Sequence, residues 1–282
     1  MLIFKRQEAL RAHLKSISDP TICIGFVPTM GALHQGHLSL LKESVNNNTI
    51  TIVSIFVNPT QFNNTNDLIN YPRTLEDDIA KIKTVNDSIL VYAPPIEDIY
   101  EGKPVSEHFD FDGLENQMEG KFRVGHFDGV GTIVKRLFEI INPTNAYFGE
   151  KDFQQLQIIK KLVLKYDIAI NIIGCAIYRE SNGLAMSSRN ERLSQEEKEE
   201  AQIIFKTLSN VKIKFGVESA ENISDWVENI FEGNSSFKLD YFQIADETDL
   251  LPCLTKDENK KYRAFIAVFV NNIRLIDTIS LN

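Results

Sequence analysis

The run Ile50-Thr-Ile-Val-Ser-Ile-Phe-Val57 is apolar on both of its alternating faces. A strand on the surface of a sheet shows one apolar face and one polar face, whereas a strand covered on both sides by helices is apolar on both. The run is far too short to span a bilayer. It therefore predicts a buried parallel strand, and parallel strands need crossover connections, usually helices. The surrounding sequence supplies them. An amphipathic helix is predicted over 4–17, with Leu10, Leu14 and Ile17 on one face, and strands over 21–27, 50–57 and 88–93. A helix is predicted from His37, with Leu38, Leu41 and Val45 at helical spacing, and another from Thr74, whose spacing to Asp77 has the form of a capping box. Helices over 130–141 and 153–165 and strands over 145–148 and 168–174 continue the alternation. The order defines an α/β class with a doubly wound parallel sheet.

The style changes after Cys175. A polar loop over 178–190 leads to a charged helix capped by Ser194, a second helix over about 219–231, and β-like runs at 237–245, 262–270 and 272–279. No helix separates the last two runs, which are expected to pair antiparallel. Two domains are predicted, 1–175 and a smaller α+β domain over 176–282 that closes over the site. Residues 101–129 are irregular and rich in glycine, with a possible strand at 106–111, and a loop of this kind inside a compact domain is more often functional than idle.

Composition narrows the partners. Of 282 residues, 43% are apolar and 24% charged, ordinary values for a globular chain, and the formal charge is −9. That balance argues against general nucleic-acid or anionic-membrane binding and leaves room for a local phosphate pocket. Three dispersed cysteines, Cys23, Cys175 and Cys253, form no Cys-x-x-Cys, which indicates neither a zinc site nor a disulfide framework and fits a reducing cytoplasm. The N-terminal MLIFKRQEALRAHLKS is charged within five residues and lacks the apolar segment of a signal peptide.

Chemistry concentrates at strand ends. The stretch Pro28-Thr-Met-Gly-Ala-Leu-His-Gln-Gly-His37 joins the first predicted strand to a helix start, where unpaired N–H groups and a partial positive charge favour phosphate. His34 and His37 flank Gly36 and can donate hydrogen bonds to charge building on phosphorus. Alone, either histidine reads as a cap or surface residue; together after a strand they point to a nucleotide-phosphate site. The turns at 58–62 and 149–155 end other predicted parallel strands and should converge with the first. Lys151 offers a point charge, and Gln61 and Gln155 offer paired donors and acceptors for a small polar substrate. Ser187, Ser188 and Arg189 form an anion-binding run. There is no Gly-x-Ser-x-Gly, no dinucleotide fingerprint and no Walker loop, so phosphate chemistry would depend on positioning and charge stabilisation. Asp77 and Asp78 are the carboxylates that could hold Mg²⁺ through water, although acids in a first helical turn serve the dipole and that is the plainer reading.

The segments 28–37, Phe56-Val-Asn-Pro-Thr-Gln-Phe62, Tyr71-Pro-Arg-Thr74, Gly125-His-Phe-Asp-Gly-Val130, Phe148-Gly-Glu-Lys-Asp-Phe-Gln-Gln155 and Gly183-Leu-Ala-Met-Ser-Ser-Arg-Asn190 occur in order. In this the chain resembles the pantothenate synthetases, the pantoate–β-alanine ligase family of the nucleotidyltransferase superfamily. The resemblance implies a Rossmann-like fold and a two-step reaction. ATP and (R)-pantoate would give pantoyl adenylate and pyrophosphate, and β-alanine would then displace AMP to give pantothenate. It implies that Met30, Gly31, Ala32, Leu33, His34, Gln35, Gly36 and His37 line ATP, with His37 in the position the family treats as its acid. Gly149, Glu150, Lys151, Asp152, Tyr178, Met186, Ser187, Ser188 and Arg189 would complete the nucleotide site, with Lys151 at the α-phosphate. Gln155 would hold pantoate, and Gln61 both pantoate and β-alanine. A homodimer and Mg²⁺ are implied as well. The chain departs from many members at Asp128, where they carry Arg, and in lacking a proline before Arg179. A cytidylyltransferase is the alternative within the same chemistry, and a catalytically dead nucleotide-binding regulator the alternative outside it.

Overall fold

The computed structural model describes residues 1–100, 102–234 and 236–282; Glu101, at the head of the glycine-rich segment, lies outside them. The chain divides into two compact units: 1–115, 119–149 and 155–175 in the first, and 116–118, 150–154 and 176–282 in the second.

In the first unit β1 (Ile3–Phe4), β2 (Ile24–Thr29), β3 (Ile50–Ile55), β4 (Leu90–Tyr92), β5 (Asn145–Gly149) and β6 (Asn171–Cys175) form one sheet in the order β1-β4-β3-β2-β5-β6. Every pairing is parallel. The chain leaves β2 toward β3 and β4 on one side and returns to β5 and β6 on the other, which makes the gap beyond the C-terminal ends of β2 and β5 a topological switch point. Ile52 and Val53 on neighbouring positions of β3 are both fully buried, as the two-sided apolar pattern requires. On one face Val27, Val53 and Val91 pack with Leu38 and Leu41 of helix Gln35–Asn47 and Ile82 of helix Leu75–Lys83.

Strand β2 runs through Pro28, beyond the predicted end. Thr29 C=O accepts from Phe56 N–H on the β3 side, so position 28 faces β5, whose pairing stops at Phe26. The missing N–H of proline therefore breaks no ladder bond. The first strand, β1, was not expected; it is two residues long and pairs with β4. The strand expected at 106–111 is absent among the described residues. There Glu107 N–H donates to Thr132 Oγ and Phe109 N–H to Asp128 Oδ1, side-chain bonds that replace a ladder. Asp128 also faces His108 at 3.0 Å, and that carboxylate raises the His108 pKa. The loop at 63–70 holds a short helix, Thr65–Ile69, capped by Asn64.

In the second unit β7 (Phe237–Asp246), β8 (Tyr262–Val270) and β9 (Ile273–Ser280) form an antiparallel sheet in that order. Helices Gln202–Phe215 and Ala220–Phe231 bury Ile204, Leu208, Val211, Ile223 and Val227 against Ala264, Ile266 and Val268 of β8. The single charged helix expected after Ser194 is two, Gln195–Glu200 and Gln202–Phe215, meeting at Ala201. Ser194 makes the full reciprocal cap with Glu197.

Gly25 of β2 lets helix Gln35–Asn47 lie close: a Cβ there would stand 2.2 Å from Ser44 Oγ and 2.5 Å from Asn48 Nδ2. Gly25→Ala is expected to destabilise the protein by about 1–3 kcal/mol, measured as a lower midpoint of urea denaturation.

Candidate active site

Between β2 and the next helix the backbone reverses in five residues. Gly31 and Ala32 both take positive φ, +84° and +50°. Gly31 N–H donates to Thr29 Oγ, and the next two amides, Ala32 and Leu33, donate to Asp78 at 3.0 and 2.7 Å. His34 is then the N-cap of helix Gln35–Asn47. Its Nδ1 accepts from Gly36 N–H at 3.1 Å, while His37 Nδ1 accepts from His34 N–H at 3.3 Å. The two rings lie 4.0 Å apart. An amide N–H can only donate, so both Nδ1 atoms are unprotonated and each neutral ring carries its proton on Nε2. The capping bonds are made by Nδ1 of each ring, and the donor nitrogen of each is Nε2.

The turn after β3 lies beside this one. Gln61 donates from Nε2 to Met30 Sδ at 3.1 Å and accepts at Oε1 from Asn58. Asn58 is buried, donates also to Gly129 C=O, and accepts from Tyr100 at 2.6 Å. Burial pushes the Tyr100 hydroxyl pKa up, which keeps it a donor. His126 Nδ1 donates to Gln61 C=O at 2.8 Å, since a carbonyl can only accept. Backbone and side chain of Gln61 are thus held independently. Of the two adjacent glutamines after β5, Gln154 is buried and donates to Gln117 C=O, whereas Gln155 is half-buried at the start of helix Phe153–Lys165.

Asp77 and Asp78, the two carboxylates considered for Mg²⁺, stand in different surroundings. Asp78 is fully buried with one oxygen on each of two amides, while Asp77 is exposed on another side of the helix. Consecutive helical residues point about 100° apart, so the two side chains face different directions. No group of three His, Cys, Asp or Glu residues able to hold a metal exists among the described residues. Thr74 is an N-cap without a capping bond; its hydroxyl faces Asp78 instead.

In the second unit, Glu150 pairs with Arg263 at 3.1 Å, and that guanidinium also holds Glu247 and lies 4.0 Å from the Phe153 ring centre. Lys151, between Glu150 and Phe153, stands 3.9 Å from Asp152. The 178–190 segment is a hairpin. Met186 N–H donates to Tyr178 C=O, Arg179 bridges to Ala185, and Ser187 Oγ caps the turn 188–192 by accepting from Arg189 N–H. Arg179 makes two bonds to Asp277, at 2.6 and 3.0 Å, and stacks on Phe205 at 4.0 Å. Burial pushes the Asp277 carboxyl up against the pull of that guanidinium. These contacts order the segment without the proline that many members carry.

A β2 turn delivering paired imidazoles onto a helix start, at the switch point of a parallel sheet, defines a phosphate-handling α/β protein. A family model described as pantoate-beta-alanine ligase matches residues 2–280. The pantothenate synthetase of Flavobacterium psychrophilum is 63% identical over the full length of both chains, and that of Christiangramia forsetii 51%. The pantothenate synthetase structure from Thermus thermophilus superposes with a TM-score of 0.91 at 34% identity, covering 100% of this chain and 99% of that one. A pantoate-beta-alanine ligase from Francisella tularensis, solved with beta-gamma ATP and beta-alanine, is also 34% identical, with a TM-score of 0.80 and 100% and 98% coverage. The chain belongs to the pantoate–β-alanine ligase family, enzymes of pantothenate biosynthesis.

Asn58, Tyr100, His126 and Gly129 went unassigned from sequence, although all but Tyr100 lie within the quoted motifs. A Cβ on Gly129 would stand 2.5 Å from Thr60 C=O and 2.7 Å from Gln61 Cα. Gly129→Ala is expected to push the Thr60–Gln61 turn away and to destabilise the protein by about 1–3 kcal/mol, measured as a lower midpoint of urea denaturation.

Proposed function

We propose that the chain joins (R)-pantoate to β-alanine through pantoyl adenylate, with the histidine turn as its phosphate site. The observation that carries this reading is the reciprocal cap, which leaves both imidazoles neutral with Nε2 as the donor nitrogen beside a fixed Gln61. A pantoate carboxylate oxygen attacks the α-phosphorus of ATP. The new O–P bond forms as the bond to the bridging oxygen breaks, and pyrophosphate leaves with the electron pair. The amine of β-alanine then attacks the acyl carbon, the C–O bond breaks, AMP leaves, and the nitrogen loses a proton. No protein nucleophile takes part. Oriented donors and cations stabilise the charge.

In this reading His34 and His37 donate hydrogen bonds from Nε2 to the phosphates, His37 at the position that the family resemblance assigns to the acid, and Lys151 meets charge at the α-phosphate. Met30 to His37, Gly149 to Asp152, Tyr178 and Met186 to Arg189 take the rest of ATP. Gln155 holds pantoate, and Gln61 holds pantoate and borders β-alanine. The residues present do not fit a protein-held metal, so Mg²⁺ is proposed to arrive on the triphosphate as part of the substrate. The proposal extends to a homodimer, on the family resemblance, and to the cytoplasm, which suits three dispersed cysteines in no disulfide. No helix among the described residues is long and apolar enough to cross a membrane.

Pyrophosphate release is expected with ATP and pantoate alone, followed by AMP and pantothenate on adding β-alanine. Release that ignores pantoate, or that needs CTP, would contradict the proposal. Lys151→Ala is expected to lower kcat for adenylate formation by about 10²–10³ with an unchanged circular-dichroism spectrum. Near-normal turnover would remove Lys151 from the mechanism.

A further inference from the structure

The backbone between Met30 and His34 is gripped from the neighbouring helix at three atoms. Asp78, one turn into helix Leu75–Lys83, takes the amides of Ala32 and Leu33, one on each carboxylate oxygen. Lys81, a turn further on, donates from Nζ to Leu33 C=O at 2.7 Å. Both polar groups of Leu33 are thereby fixed, and the next amide, that of His34, is the one that His37 Nδ1 accepts. The left-handed φ of Gly31 and Ala32 turns successive N–H groups toward one side, a concavity that binds anions. Here the anion is the protein's own buried carboxylate. The fit is close, because a Cβ on Gly31 would lie 3.0 Å from Asp78 Oδ2.

We propose that Asp78, aided by Lys81, is a positioning residue that sets where His34 and His37 aim their Nε2 donors, and that it holds no metal. The proposal rests on the reading of those histidines as phosphate donors. A cation at Asp78 would have to enter the packed core of the unit, where the carboxylate oxygens already accept from two amides and the Thr74 hydroxyl. Asparagine is not a conservative replacement. Its one carbonyl oxygen can serve one amide, and its NH₂ group would confront the other. Glutamate is a methylene too long for the space beside Gly31.

The test compares full-length Asp78→Asn and Lys81→Met with wild type. Rates with ATP and pantoate are measured at varied pantoate and, separately, at varied Mg²⁺, and ¹⁵N NMR reads the imidazole rings. Asp78→Asn is expected to lower kcat by about 100-fold with little change in KM for pantoate or in half-saturating Mg²⁺. Lys81→Met is expected to do the same to a smaller degree. The His34 and His37 signals are expected to report a proton on Nε2 alone in wild type and to shift toward mixed tautomers in both variants. A deficit in Asp78→Asn that high Mg²⁺ restores would make Asp78 a metal ligand and overturn the proposal. Imidazole signals unchanged in both variants would overturn it at any level of activity. If Asp78→Asn does not fold, Lys81→Met alone decides between these outcomes. A wild type without activity would defeat the functional reading, and the NMR comparison would still judge the turn.

Discussion

Helix Gln35–Asn47 is capped by imidazoles where most helices use a hydroxyl or a carboxylate, and the carboxyl edge of the parallel sheet is built around that substitution. A serine or aspartate cap contributes about 1 kcal/mol by accepting an orphan amide. The ring nitrogens here accept at 3.1 and 3.3 Å, near the long end for N–H bonds, so they are no better than ordinary caps. Their advantage is chemical. An aspartate at the same place would set negative charge at the proposed phosphate site. A neutral imidazole fills the cap with one nitrogen and offers a donor with the other. Asp78 keeps its carboxylate inside the core, on the amides of Ala32 and Leu33 and beside the Thr74 hydroxyl.

Buried charges hold short segments in the second unit as well. Arg263 is almost wholly buried and ties Glu150, Glu247 and the Phe153 ring together, fixing the chain on both sides of Lys151. Arg179 and Asp277 do the like for the hairpin that ends in Met186 to Arg189. Buried ion pairs gain little net stability, because desolvation offsets much of their attraction. Their geometry is specific, however, and each fixes a short segment that has few apolar side chains of its own to anchor it.

Much of this was legible in the residues. The two-sided apolar run of β3, the helical spacing after His37 and the paired runs at the C-terminus specified the parallel sheet and the antiparallel one, since periodicity reports which faces are buried. The histidines, Gln61 and Lys151 were legible as candidates because they sit in turns that follow strands. The supporting residues were not. Asp78 lies in a helix's first turn, where an acid already has a dipole reason to be, and nothing local shows that two amides distant in sequence point at it. Arg179, Arg263 and Asp277 resemble surface charges until the tertiary contacts that bury them are known. The expected strand at 106–111 failed for a related reason: Thr132 and Asp128, about twenty residues downstream, take the amides a ladder would have used.

Activation of the pantoate carboxylate by adenylation is the claim on which the site reading turns, and the fate of oxygen tests it directly. With pantoate labelled by ¹⁸O in its carboxylate, turnover with ATP and β-alanine should place one labelled oxygen in the phosphate of AMP, seen by mass spectrometry, and none in pyrophosphate. Label appearing in inorganic phosphate, or AMP formed without label, would contradict the account.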